Sequence, residues 1–243
     1  MMVNRRSICV IHIIIAAALF LSACGRSASS NGGAAVPAQD KTVVREAEYA
    51  AVLAEAKQKG VEVESGLYLT RLYAYTGVFP EDTDGKEVKN AAAAELVNLS
   101  PVAYRGLEFT VTCGKTAYRF FVSALPVGGR LTAVEQSGAA LTETQDPAVS
   151  VSYADPYAER LSVQTEKLRI TYTDGRLTVE NKTEQPQKNV CVYYKRTDEN
   201  GYLGGLTFRV RVGAVAAGKT AESEAKYLKP GGSKVVFVTV DEE

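Results

Sequence analysis

The chain has 243 residues, 28 Lys and Arg against 28 Asp and Glu, 46% hydrophobic and 8% aromatic residues, no Trp and one His. That is the composition of a globular protein of one or two small domains, outside the ranges of disordered and multi-span membrane chains. With charge balanced and no Lys/Arg cluster beyond the first residues, there is no electrostatic basis for a nucleic-acid partner.

The amino terminus carries Asn4-Arg5-Arg6 and then an apolar run from Ile8 to Leu21 that stops at Ser22, Ala23 and Cys24. A bilayer core takes about 20 consecutive apolar residues, so this run reads instead as the apolar region of a signal peptide over 1–23. Its end, Leu21-Ser22-Ala23-Cys24-Gly25, resembles the bacterial lipobox. The resemblance implies signal-peptidase recognition through Leu21, Ser22 and Ala23, and cleavage that leaves Cys24 first. Cys24 would then carry diacylglycerol and acyl groups and hold the protein on the extracytoplasmic face of the cell membrane. Cleavage removes Arg5 and Arg6 and no acid, leaving 26 basic against 28 acidic side chains. Attachment therefore falls to the acyl chains and not to a polybasic patch.

The same cut removes Cys9 and His12. A mature chain without histidine lacks Ser-His-Asp and Cys-His pairs, a histidine base near neutral pH and the commonest zinc ligand. No other catalytic motif replaces them, so the expectation is a protein that is not an enzyme, with no catalytic residues and no cofactor apart from the lipid. Cys113 and Cys191 lie on different predicted strands; a disulfide between them would join two predicted domains, and both read as small buried hydrophobes.

In chain order, 24–41 is a lipidated flexible tether rich in Gly, Ser and Ala. Residues 42–60 form an amphipathic helix, capped by Thr42 and stopped by Gly60, with Tyr49, Val52, Leu53 and Ala56 at i, i+3, i+4 and i+7. Its polar face mixes Glu and Lys, which suits docking on the first domain better than lying on an anionic membrane. From Val61 the period changes to alternation. Strands are expected at Leu67–Thr76, Val88–Asn98, Leu107–Cys113, Thr116–Ser123 and Arg130–Glu135, with Gly114-Lys115 closing a hairpin. Residues 61–138 make a first β-sandwich unit, and 139–158, with Asp146-Pro147 and Asp155-Pro156, a linker. A second unit, 159–243, has strands at Lys167–Thr173, Arg176–Asn181, Asn189–Lys195, Leu206–Val212, Lys219–Tyr227 and Lys234–Val240, with Asp174-Gly175 as a hairpin turn. The fold class is all-β: two tandem immunoglobulin-like antiparallel sandwiches behind a signal peptide, a tether and one short helix. Each unit has a strand ending in Asn-x-Ser/Thr (Asn98-Leu99-Ser100; Asn181-Lys182-Thr183) and a later small-residue turn (Pro126 to Gly129; Ala216 to Gly218), as tandem copies would.

The second unit, through Leu177 to Thr183, Val190 to Tyr194, Asn200-Gly201 and Ala217-Gly218, resembles the FxLYD-type immunoglobulin-like modules of bacterial lipoproteins. Of the naming motif Tyr194 is present, and Lys195 stands where Asp is expected. The whole chain is similar to two-domain lipoproteins of Clostridia-type bacteria. The resemblance implies a surface binding or structural module without a shared catalytic site.

Candidate sites are few. Ser223-Glu224-Ala225-Lys226 matches Ser-x-x-Lys, but the Lys219-Thr220 pair overlaps it on one strand, whereas penicillin-recognising enzymes place the two far apart. Glu81-Asp82-Thr83-Asp84-Gly85 offers Asp82 and Asp84 as calcium ligands, although an EF-hand loop would need acids where Pro80 and Ala91 stand, and such a turn is usually a solvated hairpin loop. Tyr193, Tyr202 and Tyr227 could form a protein-binding patch or half-buried core. The function expected is binding or assembly through contacts with another envelope protein. The alternatives are a carbohydrate-binding or carboxylate-based glycan-acting protein and, more remotely, an immunoglobulin-like protease inhibitor.

Overall fold

The computed structural model describes residues 40–157 and 161–240, all within the compact unit Gln39–Glu243. The signal peptide, Leu21, Ser22, Ala23, Cys24 and the tether up to residue 39 lie outside the described residues. Among the described residues, no helix is long and apolar enough to cross a membrane.

The chain enters extended. Val43 bridges to Gly129, the Val44 N–H donates to the Gly128 carbonyl at 2.8 Å, and the Arg130 N–H donates to the Thr42 carbonyl at 2.8 Å. Thr42 is therefore a buried edge residue and not the expected helix cap, in keeping with the extended preference of the β-branched run Thr42-Val43-Val44. One 3₁₀ turn, Glu46–Glu48, leads into helix α1, Tyr49–Lys59, which is shorter than the 42–60 expected. Its apolar stripe falls as the spacing predicts: Tyr49, Val52, Leu53 and Ala56 pack with Val44 on Tyr68, Val97 and Leu99, and the Tyr49 hydroxyl donates to the Leu99 carbonyl.

The strands are β1 Val61–Glu64, β2 Leu67–Val78, β3 Glu87–Asn98, β4 Ala103–Cys113, β5 Thr116–Leu125, β6 Arg130–Val134, β7 Ala148–Tyr157, β8 Leu168–Thr173, β9 Arg176–Asn181, β10 Gln187–Asp198, β11 Gly201–Val215, β12 Thr220–Glu224 and β13 Ser233–Thr239. The fold is all-β and sandwich-like. The two hairpins expected from sequence close at Gly114-Lys115 and Asp174-Gly175, and Gly175 takes a φ of 73° that favours glycine.

The two halves follow one strand plan. In the first, β2 pairs with β3, β3 with β6, β4 with β5, and β4 with β7. In the second, the same positions are β8–β9, β9–β12, β10–β11 and β10–β13. The registers correspond as well, with buried Leu67 opposite Asn98 and buried Leu168 opposite Asn181. The Asn-x-Ser/Thr corners are the same device. Asn98 Nδ2 donates to the carbonyls of Val102 (2.9 Å) and Pro126 (3.1 Å), and its Oδ1 accepts the Ser100 N–H (3.1 Å) and lies 2.6 Å from the Ser100 hydroxyl. Asn181 Nδ2 donates to Gln185 (2.8 Å) and Ala216 (3.3 Å), and its Oδ1 accepts the Thr183 N–H (2.9 Å) and hydroxyl (2.8 Å). Each asparagine thus ties the corner after its strand to the small-residue turn before the next, which is why both units carry both motifs.

Two expectations change. The stretch 139–158 is not simply a linker, because its second part is β7, paired with β4 from Thr112–Ala148 to Ala103–Tyr157. β7 is an edge strand, where Pro156 is tolerated and only half of the positions face a core, so its polar, Pro-containing sequence looks like a loop. The halves, moreover, are not separate bodies. β6 and β11 pair in parallel through Leu131–Tyr202 and Thr132–Leu203, fusing the first sheet of one half and the second sheet of the other into a seven-stranded sheet, β1-β2-β3-β6-β11-β10-β13. Gly205 is required beside this seam, since a Cβ there would lie 1.7 Å from the Phe121 carbonyl oxygen.

Both asparagines are fully buried. Asn98→Ala and Asn181→Ala should each lower stability in urea unfolding by on the order of 3 kcal/mol, through buried carbonyls and N–H groups left without partners. Equal effects support the shared role, and a negligible effect at either position contradicts it.

Candidate binding cleft

A cleft of about 890 Å³ opens between α1 and the outer face of the seven-stranded sheet. The 3₁₀ turn presents Ala47, and the helix presents Ala51 and Glu55 along one stripe and Val52 and Ala56 along the next. The floor is Thr70 and Arg71 of β2, Glu95 to Val97 of β3 and Arg130 to Thr132 of β6, closed by Glu199-Asn200 of the β10–β11 turn at one side and Asp40-Lys41 at another. The space exists because Ala47 and Ala51 are small where Tyr49, Val52 and Leu53 reach the sheet. Among the described residues, the corresponding face of β8-β9-β12 in the second half bears no helix and carries exposed ion pairs, Arg169–Glu180 (3.0 Å) and Arg176–Glu222 (3.4 Å).

Most charges in the cleft are matched. Arg71 pairs with Glu95 and lies 4.2 Å over the Tyr73 ring. Lys59 pairs with Glu55 at 3.1 Å, and Glu48 with Arg45. Asp40 pairs with Lys234 of β13, whose Nζ is also 2.7 Å from the Thr42 hydroxyl. Burial works to raise the Asp40 carboxyl, but hydrogen bonds from Lys234 and Thr42 outweigh it and hold the group below the usual carboxylate range. Such exposed pairs set the charge pattern of the cleft and contribute little to stability. The lining residues include Thr70 and Thr132 but no histidine, cysteine or serine.

The floor continues into the seam. Glu81, between β2 and β3, turns its carboxylate inward, where Oε1 accepts the Gly205 N–H at 2.8 Å and the Val134 N–H at 3.2 Å, one from each half. Burial raises this carboxyl above its ordinary range, opposed by those same hydrogen bonds. Lys195 of β10 is fully buried and donates from Nζ to the carbonyls of Gly205 (2.7 Å) and Leu206 (3.0 Å). Burial pushes its ammonium down to about 7, with Glu81 acting in the opposite sense. Beside it, the Arg196 guanidinium reaches the Phe79 and Asp82 carbonyls at 3.5 and 3.3 Å. These residues carry no motif. Alternation along Val190, Val192 and Tyr194 would turn Lys195 outward, and register shifts on both sides of β10 next to Tyr194 turn it in.

The residues singled out from sequence do not converge. The Asp82 carboxylate accepts its own loop's Asp84 N–H at 3.1 Å, and the Asp82 carbonyl faces the Arg196 guanidinium. Among the described residues no three Asp, Glu, Cys or His side chains come together as a metal site. Tyr202 is buried, with its hydroxyl pushed up to about 12 by that burial. Tyr193 stacks on Phe237 at 4.1 Å, and Tyr227 lies beside Phe208 and under Lys226, so the three tyrosines form no common patch. Ser223 lies within β12 opposite Leu177 of β9, and Lys226 is directed to the Tyr227 ring. Cys113 is buried as expected, Cys191 is half-buried, and both are free thiols.

No family model matches the chain, and no curated protein matches it. Among solved structures it is similar to the crystal structure of red sea bream transglutaminase, at 13% identity and a TM-score of 0.18, over 71% of this chain and 29% of that one. The chain spans less than a third of that protein's length, and a likeness of this degree carries nothing over.

Because the folded-state pKa of Lys195 lies below its ordinary value of 10.5, the unfolded chain binds more protons between about pH 7 and 10, and stability must rise with pH there, by up to about 1.4 kcal/mol per unit. Chemical unfolding across this window should show that rise in the wild type and its loss in Lys195→Met; parallel curves would contradict the assignment.

Proposed function

We propose that this protein is a lipid-anchored module on the extracytoplasmic face of the cell membrane that binds another envelope protein and holds it without transforming it. The observation that carries the reading is the cleft beside α1: open, rimmed by small and apolar side chains, charged on its floor, and lined by no nucleophile–base pair. Support for the location comes from the lipobox-like Leu21-Ser22-Ala23-Cys24. A cleft built on paired strands and a packed helix presents a preorganised surface, which lowers the ordering cost of association.

The test is crosslinked co-purification of the full-length protein from its own cells. Ala51 is exposed and lines the cleft, so Ala51→Trp fills it without touching a core. Wild type is expected to recover a specific partner, Ala51→Trp to lose most of it, and Cys24→Ala to leave the membrane fraction and recover less. Equal recovery by wild type and Ala51→Trp would place binding elsewhere, and recovery of the protein alone would contradict a protein partner and favour a glycan.

A further inference from the structure

We infer that the cleft selects an acidic segment of its partner protein, with Arg130 and Lys41 as the residues that read it; the inference rests on the cleft being the docking surface proposed above. Nine charged side chains line the cleft, five acidic and four basic, which suggests a mildly acidic site. Four of the five acids, however, already have a cation at ion-pair distance, and two of those cations, Arg45 and Lys234, come from outside the lining. With them included, the cluster has six cations to five acids.

What remains is uneven in place as well as in number. Arg71 and Lys59 are engaged by Glu95 and Glu55. Among the described residues, Arg130 has no partner for a side-chain hydrogen bond or ion pair and acts on Glu48 only at longer range, where Arg45 already holds that carboxylate. Its backbone N–H is bonded to Thr42, which brings Lys41, also without an ion-pair partner, to the same side. Arg130 is half-buried on the sheet floor, so its charge meets an incoming group in a partly dry setting, where a bidentate guanidinium–carboxylate contact is at its strongest. Among the described residues, Glu199 is the lining acid without an ion-pair partner. It stands on the tight turn before Gly201, where a Cβ would lie 2.7 Å from the Arg130 carbonyl oxygen. The complementary segment therefore offers a carboxylate to Arg130 and Lys41 and, next to it, a hydrogen-bond donor to Glu199. Its apolar neighbour fits beside Ala47 and Ala51.

Fluorescence anisotropy with the full-length protein in detergent micelles tests this, using labelled hexaglutamate and labelled hexalysine as probes. Hexaglutamate is expected to bind in preference to hexalysine, to weaken about tenfold on Arg130→Ala and less on Lys41→Ala, to be only partly retained by Arg130→Lys, which keeps the charge and loses the bidentate fork, and to be lost with Ala51→Trp. Equal or tighter binding of hexalysine, failure of hexaglutamate to bind, or indifference to Arg130→Ala overturns the inference. The variants' melting temperatures check that each remains folded. The two readings fail separately: if Ala51→Trp abolishes partner recovery from cells while Arg130→Ala does not, the cleft stands and its acidic selectivity falls, whereas indifference to Ala51→Trp removes the docking surface itself.

Discussion

The structure depends on a short parallel contact between β6 and β11. Two residue pairs are a small amount of strand pairing, and a parallel pair is not intrinsically strong. What completes the joint is a set of groups that have no good alternative outside it. Glu81 accepts one N–H from each half, Lys195 satisfies the carbonyls of Gly205 and Leu206, and Gly205 brings its backbone against Phe121 because it has no side chain. Separating the halves would leave a carboxylate and an ammonium to be resolvated and the backbone polar groups at the seam to find new partners, and it would open the apolar cluster in which Tyr202 and Val236 join Leu96, Val122 and Leu131.

From this joint the functional asymmetry follows. Both halves use the same pairings and the same asparagine corner, yet only the first covers the outer face of its first sheet. There α1 packs on Tyr68, Val97 and Leu99, while Phe79, Val88 and Val134 form a second cluster on the same face. Between these coverings the floor is left open, and the fused sheet brings the β10–β11 turn of the second half up to the cleft as a wall. A single unit of this plan would lack that wall. Fusion of two similar units, one of them with an added helix, thus makes a concave surface that neither unit has alone.

Much of the fold was legible in the sequence because it rests on local rules. The two hairpins followed from Gly114-Lys115 and Asp174-Gly175, the packing stripe of α1 from its spacing, and the repeat from Asn98 and Asn181 with their small-residue turns. What was not legible depends on distant contacts. Thr42 has the chemistry of a helix cap but is claimed by Arg130 of β6; Ala148–Tyr157 is polar and contains Pro156, yet finds β4; Lys195 is turned inward by bulges that no periodicity displays. The candidate site was the least legible part. Ala47, Ala51, Arg71, Glu95 and Arg130 are ordinary residues one at a time, and only the approach of a helix, three strands and a distant turn makes a cleft of them. In the acidic turn, Glu81, which the sequence did not set apart from Asp82 and Asp84, serves the seam.

The central claim is that the two halves act as one body, so that the cleft is a fixed feature and not a product of their chance approach. Differential scanning calorimetry of the full-length protein tests it most directly. The account predicts one endotherm in which the calorimetric and van't Hoff enthalpies agree, as for a single cooperative unit. Two resolved transitions, or a van't Hoff enthalpy near half the calorimetric value, would mean that the halves unfold independently and would contradict it.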